Sequence, residues 1–98
     1  MLIRIVRMTF QPDKTEEFRL IFENSKHKIR ARPGCQYLEL WQDLHQPYVF
    51  VTHSHWESEE ALNSYRDSDL FKDTWSRTKA LFADKPQAFS VVSVEKVE

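Results

Sequence analysis

The sequence predicts an α+β fold built from four strands and two helical regions. Four short stretches have apolar residues either at every second position or on both faces of an extended chain, which is typical of strands. Two longer segments between them carry apolar residues at helical spacing. A turn of hairpin length separates the second and third strands, so these two are expected to be antiparallel neighbours. The resulting order, β-α-β-β-α-β, is that of the ferredoxin-like fold, with the second helix split in two.

The stretch 48–56 is the predicted centre of the sheet. Its side chains are apolar on both faces at the start, because Phe50 points to one side and Val49 and Val51 to the other. A strand that buries both faces belongs in the interior of a sheet. The acidic residues that follow Ser58 are typical of a capped helix start.

Proline, glycine and capping residues set the bounds of the other elements. In chain order we expect a strand over 2–10, a helix over 13–31 that begins at Asp13, a strand over 36–43, the central strand, a short helix over about 58–66, a longer helix from Ser68 or Asp69 to Asp84-Lys85-Pro86, and a strand over 88–97. Gly34 is the only glycine, so we expect it in a backbone conformation that other residues resist. Without a repeat or linker, 1–98 is expected to be a single domain.

The composition argues against nucleic-acid and membrane partners. The net charge is −1 and the charges are interleaved, so no basic patch is predicted. No apolar run approaches the length of a membrane span, and early arginines interrupt any signal sequence. The single cysteine, Cys35, excludes an internal disulfide. We therefore expect a cytoplasmic protein.

The predicted sheet has more apolar surface than the helices can cover. Two helical regions cover one face, whereas the strand pattern makes the opposite face apolar as well. At about 25 cal/mol per Å² of apolar surface, exposing that face would cost several kcal/mol. We therefore expect a homodimer in which two sheets pack face to face.

Four stretches of characteristic sequence occur in order along nearly the whole chain: Arg32-Pro33-Gly34-Cys35, Gln46-Pro47-Tyr48-Val49-Phe50, Trp56-Glu57-Ser58-Glu59-Glu60-Ala61-Leu62 and Ser68-Asp69-Leu70-Phe71-Lys72. Together they resemble the antibiotic-biosynthesis monooxygenase (ABM) superfamily. The resemblance implies a dimeric α/β barrel with a pocket between sheet and helices in each protomer. Many members oxidise polycyclic phenols or quinols with molecular oxygen and without a metal or prosthetic group, whereas others degrade haem.

Two departures from the family pattern bear on activity. Many quinol-oxidising relatives carry a histidine in the short helix, where this chain has Tyr65. The haem-degrading branch uses an asparagine on the first strand, a tryptophan on the short helix and a histidine ligand on the long helix. The matching positions here are Val6 (or Arg7), Tyr65 and Trp75. We therefore expect neither haem degradation nor any metal or cofactor.

Two histidines on the central strand are candidates for chemistry. His53 and His55 share one strand face, at a spacing that suits two metal ligands, and Glu39 is the one residue that could approach them across the hairpin. A non-metal role is favoured, either as hydrogen-bonding groups in the dimer interface or, if one of them reaches the pocket, as acceptor of a phenolic proton. His53 and Tyr65 are thus the candidate catalytic residues.

Aromatic residues on the helices are candidates for a ligand pocket. Tyr65 and Trp75 fall on the helical stripes that face the sheet, where they are either ordinary core or the walls of a flat pocket. The candidate substrate-binding residues are Trp75, Phe50, Phe71 and His55. The functional hypothesis is a cofactor-independent monooxygenase acting on a small aromatic phenol or quinol. The alternative is a non-catalytic dimeric module that binds a small hydrophobic ligand.

Overall fold

The computed structural model describes all 98 residues and confirms the predicted α+β, ferredoxin-like fold. Its elements are strand β1 (Leu2–Thr9), a 3-10 turn (Pro12–Lys14), helix α1 (Thr15–Arg30), strands β2 (Cys35–Gln42) and β3 (Val49–Trp56), helices α2 (Glu59–Arg66) and α3 (Asp69–Lys79), and strand β4 (Gln87–Val91). The four strands form one antiparallel sheet in the order β2-β3-β1-β4. Strand β3 therefore lies inside the sheet, as its two apolar faces predict.

The register of the sheet divides its side chains between two faces. Strand β1 pairs with β3 so that Met8 is opposite Phe50, Val6 is opposite Thr52 and Arg4 is opposite Ser54. Because side chains alternate along a strand, these even-numbered residues share one face, and the odd-numbered residues of both strands share the other. The helices cover the even-numbered face.

The core under the helices consists of two buried clusters. The larger contains Met8, Phe10, Phe18, Phe50 and Leu81, and the smaller contains Leu2, Cys35, Trp56 and Leu62. Trp56 is 1% exposed, and its indole Nε1 donates a hydrogen bond to Ser54 Oγ at 3.0 Å. The buried indole is therefore satisfied within its own strand.

Serine caps fix the starts of α2 and α3. The backbone N–H of Ala61 donates to Ser58 Oγ, and that of Phe71 donates to Ser68 Oγ. Each bond satisfies one of the amides that a helix start leaves without an intrahelical acceptor. None of the helices combines the length and the apolarity needed to cross a lipid bilayer.

Gly34 adopts the left-handed backbone conformation expected for it, with φ at 85°. Its carbonyl oxygen accepts a hydrogen bond of 2.8 Å from the backbone N–H of Glu57. A Cβ atom at this position would lie 2.5 Å from the Cβ of Ala61 on α2. Only glycine meets both requirements, so this turn brings the start of β2 against α2.

Three predicted boundaries differ from the structure by two residues or more. Helix α3 ends at Lys79 instead of at Asp84-Lys85-Pro86, because the chain after it bonds to the end of β1, where Phe82 forms an isolated bridge with Phe10. Helix α1 begins at Thr15, because Pro12 opens a separate 3-10 turn that contains Asp13, and no side chain caps α1. Strand β4 ends at Val91 instead of residue 97. Val91 is already opposite Ile3, near the end of β1, so residues 92–98 have no neighbouring strand to pair with.

The face of the sheet away from the helices, which we call the open face, is aromatic and apolar. Tyr37, Trp41 and Phe89 are 38%, 42% and 49% exposed there. Beyond β4, Val92 and Val94 are also exposed. Exposed aromatic rings on one sheet face make the open face a candidate interface with another molecule.

Candidate functional site

A cavity of about 230 Å³ lies between the helix-covered face of the sheet and the three helices. Val6, Leu38 and Thr52 line it from the sheet, and side chains of α1, α2 and α3 line it from above. Thirteen of its twenty lining residues are hydrophobic. The cavity is therefore a largely apolar site with a small number of polar groups, the usual composition of a small-molecule pocket.

A row of four aromatic rings forms one wall of this cavity. Trp56 stacks on Tyr65 with ring centroids 5.1 Å apart and planes 16° apart. Tyr65 meets Phe71 edge to face at 5.2 Å, and Phe71 stacks on Trp75 at 5.9 Å and 12°. These separations are typical of favourable aromatic pairs. The row gives the cavity an aromatic wall.

Tyr65 is the hydroxyl-bearing member of this row. It lies three residues after the buried Leu62 on α2, so both side chains face the sheet. Burial raises the pKa of the Tyr65 phenol to about 12. Its hydroxyl makes no hydrogen bond within the protein. Tyr65 is therefore protonated at neutral pH and available as a hydrogen-bond donor to a ligand.

The other hydroxyl groups of the cavity are mostly engaged. Ser25 Oγ donates to the carbonyl of Ile21 at 2.8 Å, and Thr78 Oγ1 donates to that of Thr74 at 2.7 Å. Ser54 Oγ accepts from the indole of Trp56. These groups stabilise the walls of the cavity, which leaves Tyr65, the hydroxyls of Thr52 and Thr74, and the basic residues as its available polar groups.

Two arginines give the cavity a positive charge. Arg4 on β1 and Arg66 at the end of α2 both line it. The lining contains no carboxylate and no histidine. Arg4 Nη1 donates to Ser90 Oγ at 3.2 Å, and neither arginine belongs to an ion pair. Burial, and then the positive charge of Arg66, lower the pKa of the Arg4 guanidinium.

His53 and His55 lie on the open face, across the sheet from the cavity. Their Nε2 atoms are 3.0 Å apart, and His53 Nδ1 is 3.9 Å from Glu39 Oε1. Because Phe50, Thr52 and Ser54 of β3 face the helices, the odd-numbered histidines must point the other way.

The histidines sit among aromatic side chains and not among further metal ligands. Tyr37 stacks on His55 with centroids 4.8 Å apart, and Trp41 lies 4.5 Å from the ring of His53. No group of three potential ligands is close enough to hold a metal ion. Burial and the neighbouring His53 lower the pKa of His55.

The comparisons with known proteins place this arrangement in a family. The chain matches the family described as "Antibiotic biosynthesis monooxygenase" over residues 1–76. The protein belongs to the ABM family. Among curated proteins, none matches the sequence.

Solved structures support the same fold for this ABM protein. A crystal structure of an antibiotic biosynthesis monooxygenase has a TM-score of 0.91 at 20% identity, covering 97% of this chain and 100% of the other. A conserved protein from Methanosarcina mazei Go1 gives 0.87 at 21% identity, with 93% and 91% covered. Rv0793 from Mycobacterium tuberculosis gives 0.88 at 18% identity, with 99% and 98% covered. At these identities the likeness establishes the fold alone.

The ABM fold brings together only part of the predicted site. Tyr65, Phe71 and Trp75 line the cavity, whereas His53 and His55 lie on the open face. Phe50 is buried in the larger core cluster beside Phe18 and does not line the cavity. The catalytic and substrate-binding roles of all six residues stay predictions.

Sequence reasoning missed Trp56, Arg4 and Arg66 as lining residues. The alternation of β1 held one signal, because Arg4 has the parity of Val6 and the buried Met8. A charged side chain on a strand face that packs against helices needs a polar counterpart or access to a ligand.

Proposed function

We propose that this ABM-family protein is a small monooxygenase that oxidises an aromatic phenol or quinol within the cavity, without a metal or prosthetic group. The observation that carries the proposal is the cavity walled by Trp56, Tyr65, Phe71 and Trp75 in a chain of this family. The cavity lining offers no histidine, cysteine or carboxylate to ligate a metal. Its chemistry therefore rests on shape, aromatic contact and hydrogen bonding.

The size of the cavity favours a substrate of one or two fused rings. Its volume of about 230 Å³ is below the roughly 300–1,000 Å³ typical of sites for drug-sized ligands. The parallel rings of Phe71 and Trp75 are positioned to stack on a flat molecule. Such contacts orient a ring for reaction without taking part in bond making.

Tyr65 is the proposed catalytic residue of the cavity. With a pKa of about 12 it remains protonated at neutral pH, so it donates a hydrogen bond to the substrate oxygen and does not serve as the base. That bond strengthens as negative charge develops on the oxygen. The proposal assigns no step to His53 or His55, because both lie across the sheet from the cavity.

The substrate supplies all the electrons of the reaction, and molecular oxygen accepts them. The ionised substrate transfers one electron to oxygen, and the ring radical and superoxide combine to form a carbon–oxygen bond. The resulting peroxide anion takes up a proton, and loss of water from this hydroperoxide leaves a quinone-type carbonyl. One oxygen atom enters the product and the other leaves as water, so a ring CH₂ or its enol form plus O₂ gives C=O plus H₂O. A dry, apolar cavity protects such intermediates from side reactions.

Oxygen consumption with a panel of phenols, hydroquinones and naphthols tests the proposal. Turnover should fall by about tenfold to a hundredfold in Tyr65→Phe, the range for loss of a charge-assisted hydrogen bond of roughly 1.5–3 kcal/mol. Tyr48→Phe, at a position outside the cavity lining, is the matched control.

Three outcomes decide between the functional hypotheses. Turnover that falls in Tyr65→Phe but not in the control supports the proposal. Turnover that survives in Tyr65→Phe but is lost in His53→Ala would move the site to the open face and contradict it. Absence of turnover with every compound, combined with a ligand-induced rise in melting temperature, would favour the non-catalytic binding module.

We also propose that the protein is a homodimer whose two sheets pack through their open faces. The exposed aromatic rings of Tyr37, Trp41 and Phe89 support this arrangement, because a two-fold axis brings the same apolar patch of each copy together. The exposed valines at 92 and 94 extend the apolar surface beyond β4.

Sedimentation velocity with Trp41→Glu tests the dimer. The wild-type chain should sediment as a dimer, and Trp41→Glu should shift it to a monomer, because a carboxylate would be buried without a partner. Trp41→Phe, which keeps an aromatic ring, should leave the dimer intact. A wild-type chain that remains monomeric at high concentration would contradict the arrangement.

A further inference from the structure

We infer that the cavity binds its aromatic ligand as an anion, with the guanidinium groups of Arg4 and Arg66 holding a negatively charged oxygen on the ring. The inference rests on the aromatic substrate class proposed above and adds the charge of that substrate. It starts from two arginines that line one apolar cavity without any acidic residue beside them.

Arg4 occupies a position that ordinarily holds an apolar side chain. It lies on the interior strand β1, between Ser54 of β3 and Ser90 of β4. Its side chain is on the face covered by helices and is half-buried. Its one hydrogen bond in the protein is to the neutral hydroxyl of Ser90. A partly buried cation usually has an ionic partner, and here the protein supplies none.

Arg66 adds a second positive charge to the same cavity. It is the last residue of α2, one position after Tyr65. The three ion pairs that lysine and arginine side chains form in the protein involve other residues, among them Arg77 with Asp73. Burial, and then repulsion by the positive charge of Arg66, lower the pKa of Arg4. An anion placed between them would relieve that repulsion and supply the missing partner.

The remaining lining defines the rest of the ligand. Apart from the two arginines, the cavity presents apolar, aromatic and hydroxyl side chains, and no acidic group competes for the guanidinium donors. A molecule that fits both parts is a planar ring that carries one oxyanion. That oxyanion is either a ring carboxylate or an ionised phenol, and guanidinium groups bind both, the carboxylate with two donors.

This placement has a chemical consequence for the proposed reaction. Two nearby positive charges lower the pKa of a bound phenol, since they favour its charged form. The cavity would then hold the electron-rich anion that reacts with oxygen, while the proton goes to solvent water. No histidine or carboxylate within the cavity is needed for that step. Arg4 and Arg66 therefore act as charge-stabilising residues that touch the substrate oxygen.

A matched pair of probes tests the charge of the ligand. 2-Naphthoate and 2-naphthamide have nearly the same shape and differ in charge, and titration calorimetry measures the affinity of both. The wild-type protein should bind the naphthoate about tenfold or more tightly than the amide, as one charge-assisted hydrogen bond provides. Arg4→Gln and Arg66→Gln should each remove most of this preference while leaving the affinity for the amide within about twofold. Arg77→Gln, on a residue outside the cavity lining, should keep the preference.

A second probe separates the two sources of the negative charge. The ultraviolet spectrum of bound 2-naphthol reports its ionisation, and its pKa should fall by about one unit or more in the wild-type cavity if the site favours a phenolate. A shift with naphthol points to a phenolate ligand, and naphthoate preference without that shift points to a carboxylate. In Arg4→Gln the naphthol pKa should return toward its value in water.

The inference is overturned if naphthoate fails to bind, if it binds no better than the amide, or if its preference survives both arginine variants. Circular dichroism checks that each variant is folded. If Arg4→Gln is unfolded, Arg66→Gln decides alone, because Arg66 is an exposed residue at a helix end. These binding results do not depend on oxygen uptake, so a failure of the monooxygenase proposal and a failure of the anion inference are distinguishable.

Discussion

Replacement of Gly34 by alanine is the sharpest test of how α2 is held in place. Two costs add at this position. A left-handed backbone costs a residue with a side chain roughly 1–2 kcal/mol, and φ here is 85°. The new Cβ would also lie 2.5 Å from the Cβ of Ala61, so α2 or the turn must shift, at a cost of about 1–3 kcal/mol.

The free energy of unfolding should therefore fall by about 2–5 kcal/mol in Gly34→Ala. For a chain of this size, that is a decrease in melting temperature of roughly 10–20 °C. Urea unfolding followed by circular dichroism measures the first quantity, and a thermal scan measures the second. Because Tyr65 lies one turn after Ala61 on α2, the shift should also alter ligand affinity in the cavity.

Ala61→Gly provides the matched control, since it removes the atom with which the new Cβ collides. It should cost about 0.5–1 kcal/mol by itself, as glycine does inside a helix. In that background Gly34→Ala should retain only the backbone part of its cost, because the steric part is relieved, and the coupling energy should be about 1–3 kcal/mol. A cost below about 0.5 kcal/mol for Gly34→Ala, or additive costs in the double variant, would refute this account of the contact.

Three further predictions follow from single side chains. Burial raises the pKa of Tyr65 to about 12, so the wild-type protein should lose stability between about pH 10, where Tyr65 of the unfolded chain ionises, and about pH 12. In urea titrations over that range, the free energy of unfolding of Tyr65→Phe should fall by roughly 2 kcal/mol less than that of the wild type. Burial and His53 lower the pKa of His55, so below about pH 6.5 the unfolded chain binds a proton at this position more readily than the folded protein does, and acid destabilises the fold. Between about pH 7.5 and about pH 5.5 the melting temperature of His55→Gln should therefore decline less than that of the wild type. Ser54→Ala leaves the buried indole N–H of Trp56 without an acceptor and should lower the free energy of unfolding by about 1–3 kcal/mol. When it is combined with Trp56→Phe, the total loss in free energy of unfolding should be smaller than the sum of the losses in the two single variants.

Local sequence signals predicted most of the fold. The antiparallel pairing of β2 with β3, the interior position of β3 and the caps at Ser58 and Ser68 follow from a hairpin-length turn, from alternation and from residues that satisfy helix starts. The end of β4 did not follow, although its valines alternate as strand residues do. Strand formation beyond Val91 requires a neighbouring backbone, and that information lies in the length of β1 and not in the valines themselves.

The part of the candidate site that lies on helices was predictable, because helical spacing determines which side chains face the sheet. The stripes of α2 and α3 put Tyr65, Phe71 and Trp75 over the sheet, and the structure has all three in the cavity lining. The histidines of β3 were singled out for their chemistry, but the faces of a strand become distinguishable only when the helices cover one of them. Arg4 was missed for the converse reason, because its alternation in β1 was clear while its chemistry was not considered.

The cavity lies where small side chains of the sheet are opposite large aromatic side chains of the helices. Thr52, Ser54 and Ala88 are small residues on the covered face, and they lie under the aromatic rings of α2 and α3. Large aliphatic residues at those strand positions would have filled the space, as close packing of protein interiors normally requires. Retaining a void there forgoes packing contacts that would otherwise stabilise the fold. The core under the helices is therefore packed less completely than a core without a cavity, and the ligand proposed above would occupy the remaining space.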